Sequence, residues 1–378
     1  MKKYIYRFYD DKISSLLHNG KVLALYGPRR VGKTTLIKSF LENFSGKFYF
    51  GNGDDSALRE ILESENINRI TSAFKGYDLI VIDEAQRIIN VGFGLKILVD
   101  NLPECKVIAT GSSSFKLSGK IGEPLTGRQK TALLYPLSAL ELSEEFGRMA
   151  INENLDNYLI YGSYPEVITA ENTEDKKDYL VLLRDSYLFK DILELENIKN
   201  FSKLFDLLKL IAFQIGKEVS LNELSNSLEI AKQTVERYLD LLEKTFVIKR
   251  VRGFSGNLRK EVTKTSRYFF MDNGIRNAVI NNFNNLSTRN DVGLLWENYL
   301  FVERIKKQTY KKIYSNNYFW RTYDKKEIDM VEERDGKLFG YEFKWGGKKK
   351  TSEKLWLETY ENAEFELINK DNYLDFII

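Results

Sequence analysis

The stretch Gly27-Pro28-Arg29-Arg30-Val31-Gly32-Lys33-Thr34-Thr35 constrains this chain more than any other. It fits G-x-x-x-x-G-K-[ST], the pattern of a phosphate-cradling P-loop. The residues before it, Val22-Leu23-Ala24-Leu25-Tyr26, read as a buried strand; those after it, Thr35-Leu36-Ile37-Lys38-Ser39-Phe40-Leu41, read as a helix. Strand, glycine loop and helix is the context that separates a site from a chance glycine turn. The glycines let backbone N–H groups close around phosphate oxygens, at a helix N-terminus whose dipole favours negative charge. Lys33 would reach the β- and γ-phosphates of a nucleotide, and the Thr34 hydroxyl would ligate Mg²⁺. Gly27, Gly32, Lys33, Thr34 and Thr35 form the expected nucleotide-binding set.

At 378 residues the chain suits two to four domains. It is 43% hydrophobic and 29% charged, the balance of a soluble globular protein. No apolar run approaches the ~18–20 residues of a membrane span, and Met1-Lys2-Lys3-Tyr4 opens no apolar signal core. The expectation is a cytoplasmic protein with no membrane partner. There is one cysteine, Cys105, and one histidine, His18, so disulfide and cysteine-zinc frameworks are excluded within the chain. Catalysis must rest on carboxylates, lysine, arginine, hydroxyls and bound metal. Net charge is +3, so any nucleic-acid surface must be a local patch.

Residues 21–135 alternate strand and helix, with strands expected at 21–26, 47–50, 78–82, 106–110 and 131–135. Such alternation predicts an α/β fold: a mostly parallel sheet with helices on both faces. From 138 to 200 the chain reads as helical. Residues 203–252 read as helices followed by a short strand. From about 262 the pattern is mixed α/β, with strands near 267–271, 317–322, 328–333 and 338–344.

Leu79-Ile80-Val81-Ile82-Asp83-Glu84 supplies the parts for hydrolysis. Four apolar residues make a buried strand, and two carboxylates stand at its C-terminal end, where open α/β sheets bind ligands. Asp83 would hold Mg²⁺ and Glu84 would polarise the attacking water as general base. The strand Lys106-Val107-Ile108-Ala109-Thr110 ends in Gly111-Ser112-Ser113-Ser114. A hydroxyl there, Ser112 first, could touch the γ-phosphate or the water. The alternative is a serine capping a helix.

Together, Gly27–Thr35, Asp83-Glu84, Gly111–Ser114 and Leu125-Thr126-Gly127-Arg128 resemble prokaryotic AAA-type (AAA+) ATPases. More narrowly, the chain looks like small ATPases of this type joined to a C-terminal domain of uncharacterised function. Tyr161-Gly162-Ser163-Tyr164-Pro165-Glu166 and Phe254-Ser255-Gly256-Asn257-Leu258 extend the likeness over nearly the whole chain. The resemblance implies ATP as ligand with Mg²⁺, and a five-stranded sheet with 106–110 between the P-loop and Asp-Glu strands. It also implies a helical lid. In that family an arginine before the last core strand can act on a neighbour's nucleotide, and Arg128 matches the position. That implies a homo-oligomer; the alternative is that Arg128 pairs with a carboxylate of its own core.

Residues 203–252 carry a helix-turn-helix pattern. A helix at 204–215 ends near Gly216, a short helix spans 221–227, and Leu228-Glu229-Ile230 turns the chain. A second helix comes next, with Lys232, Gln233, Thr234, Glu236 and Arg237 at its N-terminal end; Val247-Ile248-Lys249-Arg250-Val251-Arg252 reads as a basic wing. In such a motif the second helix enters the major groove of DNA. Residues 201–260 hold 11 Lys+Arg against 7 Asp+Glu. That balance is compatible with DNA, and equally with a winged-helix packing module that binds none.

Glu297, Asp329, Glu342 and Lys344 suggest a second site. Glu342 and Lys344, two apart on a strand, share a face. Asp329 and Glu342 would hold Mg²⁺ for phosphodiester cleavage, with Lys344 orienting water or neutralising phosphate. The arrangement Glu297…Asp329…Glu342-x-Lys344 resembles the PD-(D/E)xK nuclease superfamily, with a restriction-endonuclease-like fold. A plain half-buried sheet also explains the alternation of charges with Tyr341 and Phe343. Trp320-Arg321 and Trp345 could stack on bases or serve as core aromatics, and Lys348-Lys349-Lys350 could touch phosphate.

The expected organisation is therefore a P-loop ATPase core at 1–137, a helical lid at 138–200, a winged helix-turn-helix at 201–260 and a nuclease-like domain at 261–378. The leading expectation is an ATP-hydrolysing protein acting on DNA. The alternative is an ATP-dependent switch whose C-terminal domain docks protein or DNA without cutting.

Overall fold

The strands β1 (Val22–Tyr26) and β3 (Leu79–Asp83) are buried along their whole length. Continuous burial of this kind belongs to inner strands of a parallel sheet covered on both faces. With β2 (Phe48–Asn52), β4 (Lys106–Gly111) and β5 (Gln129–Leu133) they form a five-stranded sheet of order β2-β3-β4-β1-β5. Every pairing in it is parallel. In this computed structural model, residues 4–112, 125–187, 200–255, 265–322, 325–346 and 352–378 are described.

Successive strand residues point to opposite faces, and the core divides accordingly. Val22, Ala24, Ile80 and Ile82 pack with Leu58, Leu62, Ile70 and Leu95 on one side. Leu23, Leu25, Leu79 and Val81 pack with Leu36 and Ile37 of the helix Lys33–Glu42 on the other. β4 lies between β3 and β1, so the ends of the P-loop strand and the Asp83 strand flank the end of β4. β5 begins two residues earlier than its apolar run suggests, because Val22 N donates to Arg128 O at 2.8 Å and starts the ladder there.

After the sheet come the short helices Ala139–Phe146, Arg148–Glu153, Leu155–Tyr161, Pro165–Thr169 and Thr173–Leu182. Ser138 and Glu141 close a capping box at the first of them, satisfying helix N–H groups reciprocally. Gly162, at φ +71°, is required by proximity: a Cβ there would lie 2.0 Å from Asp272 Oδ1.

A second, seven-stranded sheet has the order β12-β11-β10-β9-β7-β8-β6. Its strands are β6 (Glu218–Val219), β7 (Ile248–Gly253), β8 (Ser266–Phe270), β9 (Asn316–Arg321), β10 (Glu327–Arg334), β11 (Lys337–Phe343) and β12 (Ala363–Ile368). Helices Phe201–Phe213, Leu221–Leu228 and Lys232–Lys244 alternate with β6 and precede β7. The boundary expected at 260 falls between β7 and β8, which pair antiparallel with Ile248 opposite Phe270. β7 also pairs in parallel with β9. The segments 201–260 and 261–378 thus share one sheet, since the N–H and C=O groups of β8 find their partners on β7 and β6.

The helix Val292–Lys311 joins this half of the chain to the first. The Tyr310 ring stacks on Phe8 with centroids 4.6 Å apart. Glu303 Oε2 accepts from Ala139 N at 2.6 Å, and Lys306 Nζ donates to Leu137 O at 3.2 Å. The helix is buried nearly all round despite its charges, which pair internally: Lys306 with Glu303 at 2.7 Å and Arg304 with Glu332 at 2.5 Å.

Candidate functional site

The P-loop bends through positive φ at Gly27, Arg30 and Gly32. A Cβ at Gly27 would meet Leu134 O at 1.9 Å, so only glycine fits. Gly32 caps the helix Lys33–Glu42, whose first intrahelical bond runs from Leu36 N to Gly32 O at 2.9 Å. The N–H groups before that bond have no helical acceptor and form the phosphate cradle. Lys33 is 5% exposed, and its ammonium donates to Gly27 O at 2.8 Å and Pro28 O at 2.9 Å. The charge is therefore held inside the ring of the loop. Thr35 stands exposed on the first turn.

The Thr34 hydroxyl donates to Asp83 Oδ2 at 2.8 Å. The other Asp83 oxygen accepts from the Thr110 hydroxyl, and Thr110 Oγ1 accepts from Glu84 N at 3.1 Å. Glu84 takes a left-handed conformation, φ 51°, just past β3. The Gln86 amide donates to the Glu84 carboxylate and to Ser112 Oγ, the latter at 3.2 Å. Lys33, Thr34, Asp83, Glu84 and Ser112 thus meet at the C-terminal edge of the sheet. The pairing of a hydroxyl with a carboxylate beside the cradle fits Mg²⁺, a hard cation that takes oxygen ligands and neutralises phosphate charge. Among the described residues, the buried Gln86 Oε1 has no hydrogen-bond partner. Ser113 and Ser114 lie outside the described residues.

Three participants escape a reading of the sequence alone. Thr110 and Gln86 orient Asp83 and Glu84; a polar Gln86 two residues past Glu84 and a hydroxyl at the end of the strand 106–110 were the available signals. Arg7 gave none. It is buried, donating to Glu141 Oε1 at 2.9 Å, Tyr135 O at 2.7 Å and Val31 O in the P-loop. One guanidinium so ties the loop to the sheet and to the first helix after it. Arg128 is not brought to this site. It stands at the N-terminal edge of the sheet, opposite the loop, 39% exposed, with its Nε 2.6 Å from Asp100 Oδ1.

A cleft opens beside the loop. Pro28 and Arg29 form one wall; Thr245, Phe246, Met271 and Asp272 of the second half form another. Phe246 also packs against the apolar cluster under the five-stranded sheet. On the helix Lys232–Lys244, Val235, Tyr238, Leu239 and Leu242 are buried, while Lys232, Gln233, Glu236 and Arg237 are exposed.

The four residues expected at the second site do converge. Asp329 on β10 accepts from Phe343 N at 2.8 Å. Glu342, at the end of β11, holds Lys344 Nζ at 2.8 Å and accepts from Ser352 N at 3.3 Å. Glu297 reaches in from the helix Val292–Lys311. Beside Glu297 and Asp329 lies Arg267 of β8, unremarked in the sequence. Its guanidinium is 2.9 Å from Glu327, 3.6 Å from Glu297 and 4.0 Å from Asp329. Burial, with Asp329 beside it, pushes the Glu297 carboxyl well above its ordinary range; burial brings Asp329 to about 6. Among the described residues no three His, Cys, Asp or Glu side chains are arranged to hold a metal ion. The carboxylates expected to ligate Mg²⁺ here are instead engaged by N–H groups and cations, so this donor set does not fit the metal as it stands. Trp320 is a core residue packed with Ile328, Val331 and Trp356, and Trp345 stacks edge-on to Trp296. Lys348-Lys349-Lys350 and Gly256-Asn257-Leu258 lie outside the described residues.

The parallel sheet, the glycine loop and the Asp-Glu strand define a P-loop core. Residues 19–143 match the family model described as AAA domain. Residues 152–286 and 292–368 match two families described as Domain of unknown function, DUF8612 and DUF4143. An uncharacterized protein of Mycobacterium tuberculosis is 27% identical over 343 residues, spanning 88% of this chain and 72% of its own. Another, from Methanocaldococcus jannaschii, is 27% identical over 320 residues, spanning 74% of this chain and 67% of its own. Among solved structures, the RuvB Holliday junction branch migration motor of Thermotoga maritima aligns with TM-score 0.34 and 18% identity, over 65% of this chain and 90% of that one. Among the described residues no helix is long and apolar enough to cross a membrane.

Proposed function

We propose that this protein binds and hydrolyses Mg²⁺-ATP at the P-loop and uses the cycle to drive a DNA-contacting switch. The observation that carries the reading is the Thr34–Asp83 contact at 2.8 Å, beside the Lys33 ammonium and the Glu84 carboxylate. Thr34 and Asp83 would hold Mg²⁺, which supplies charge neutralisation at the phosphates. Lys33 binds the β- and γ-phosphates, and Glu84, oriented by Gln86, takes the proton from water. Arg128 faces away from its own loop, which supports action on the nucleotide of a neighbouring copy in a homo-oligomer.

The DNA arm of the reading rests on the helix Lys232–Lys244. Its N-terminal polar face is exposed in a helix–strand–helix–helix–strand–strand unit with the order of a winged helix. The cleft shared by Pro28, Arg29 and Phe246 gives nucleotide state a route to that unit. ATPase rate with and without single- and double-stranded DNA tests the proposal. Stimulation by DNA supports it; a rate indifferent to both points to a protein partner.

A second reading, metal-dependent DNA cleavage by the C-terminal domain, is favoured by the convergence of Glu297, Asp329, Glu342 and Lys344. Plasmid incubated with Mg²⁺ or Mn²⁺ tests it: nicking by the natural chain and none by Asp329→Ala is its signature. The position of Arg267 weighs against it.

A further inference from the structure

Arg267 departs from everything expected of the C-terminal site. It belongs to β8, an inner strand of the seven-stranded sheet, held by β7 on one side and β6 on the other. From there its side chain reaches carboxylates of β10 and of the helix Val292–Lys311. It is 3% exposed, and its guanidinium lies 4.4 Å from the centre of the Phe319 ring. Glu327 is bound at 2.9 Å, and Glu297 and Asp329 stand at 3.6 and 4.0 Å. A guanidinium keeps its charge at every accessible pH, and its stacking on an aromatic face fixes its plane.

Three of the other carboxylate oxygens are engaged by protein groups. Asp329 Oδ2 accepts from Phe343 N at 2.8 Å, Glu342 Oε1 binds Lys344 at 2.8 Å, and Glu342 Oε2 accepts from Ser352 N at 3.3 Å. Asp329 Oδ1 and Glu297 Oε1 face the guanidinium at ion-pair distance, and Glu297 Oε1 makes no hydrogen bond among the described residues. A divalent ion bridging those two oxygens would sit against a buried, permanent positive charge in an interior that screens poorly. Arg267 and Lys344 are the cations the cluster holds.

We propose that Arg267 is the resident cation of the Glu297–Asp329 cluster. Its guanidinium stands within ion-pair distance of both carboxylates, and the cluster serves as an internal ion-paired joint between the helix–strand unit carrying Lys232–Lys244 and the C-terminal strands. Glu297, Asp329 and Glu327 are its partners, and the domain takes no metal there. This goes beyond the ATPase reading and does not depend on it.

The test is Mn²⁺ binding to the full chain, monitored by the electron paramagnetic resonance of free Mn²⁺ in the absence of nucleotide. The natural chain is compared with Asp329→Asn, so that any Mn²⁺ at the P-loop cancels. Equal stoichiometry in the two is expected; a site present in the natural chain and lost in Asp329→Asn overturns the proposal. Arg267→Met, which keeps length and removes charge, is expected to gain one Mn²⁺ site that the double variant with Asp329→Asn loses. A folded Arg267→Met with no gained site also overturns it. Where Arg267→Met does not fold, the first comparison decides alone.

Discussion

The Thr34 hydroxyl donates to Asp83 Oδ2 at 2.8 Å across 49 residues of sequence. The bond links the first turn after the P-loop to the end of β3, over the end of β4. Thr110 on β4 holds the second Asp83 oxygen, so the carboxylate is fixed from both sides. Asp83→Asn keeps the shape and removes the charge that would face Mg²⁺. Turnover of Mg²⁺-ATP is expected to fall by about two orders of magnitude or more, with folding unchanged. Steady-state phosphate release and thermal unfolding, measured side by side, check this.

Arg7 is a structural rivet, and its removal should show in stability. Arg7→Ala would leave Glu141 without its cation and the carbonyls of Val31 and Tyr135 without their donor. Breaking a buried pair from one side costs about 3–5 kcal/mol. Urea unfolding should show a loss of that size, with Arg7→Lys in between.

Arg128→Ala should separate stability from activity. The Arg128–Asp100 pair is partly exposed, and such pairs contribute roughly 0–1 kcal/mol. Stability should barely change. Turnover at concentrations where copies associate should fall by roughly three orders of magnitude if the guanidinium serves a neighbour. Unchanged turnover there would remove Arg128 from the catalytic set.

Asp291 gives a pH dependence with a definite sign. Burial raises its carboxyl, but hydrogen bonds from Arg289 and the charge of Arg276 outweigh burial and hold it at about 2, below the ordinary 3.8. The contacts are 2.8 Å to Arg289 and 2.5 Å to Arg276. A depressed carboxylate stabilises the fold above its unfolded value, and that stability is lost as pH falls through the folded one. Asp291→Asn should therefore cost on the order of 1 kcal/mol near neutral pH, after screening by solvent. The difference from the natural chain should shrink between pH ~4 and ~2. Urea titrations at several pH values read it directly.

The N-terminal half was legible because its chemistry is local. Leu79–Asp83 is apolar without a break and ends in carboxylates, so strand, burial and site coincide in one short run. Gly27 and Gly32 announce a loop that other residues cannot form. The C-terminal half was legible by element and not by partner. Residues 267–271 read as a strand, but nothing in them says that they pair with β7 and β6 rather than with strands later in the chain. Arg267 and Arg7 escaped for the same reason. Their partners are distant in the chain, Glu327 60 residues from Arg267 and Glu141 134 from Arg7. Periodicity carries no information about contacts of that range. The four residues of the second site could be found from spacing; the cation among them could not.

The central claim is that Glu84 is the base of an ATP-hydrolysing site built on Lys33, Thr34 and Asp83. The most direct measurement is paired ATP binding and turnover in Glu84→Gln. Nucleotide affinity close to that of the natural chain, with turnover lowered by about 10²–10⁴-fold, is the predicted result. Turnover at the natural rate in Glu84→Gln would contradict it.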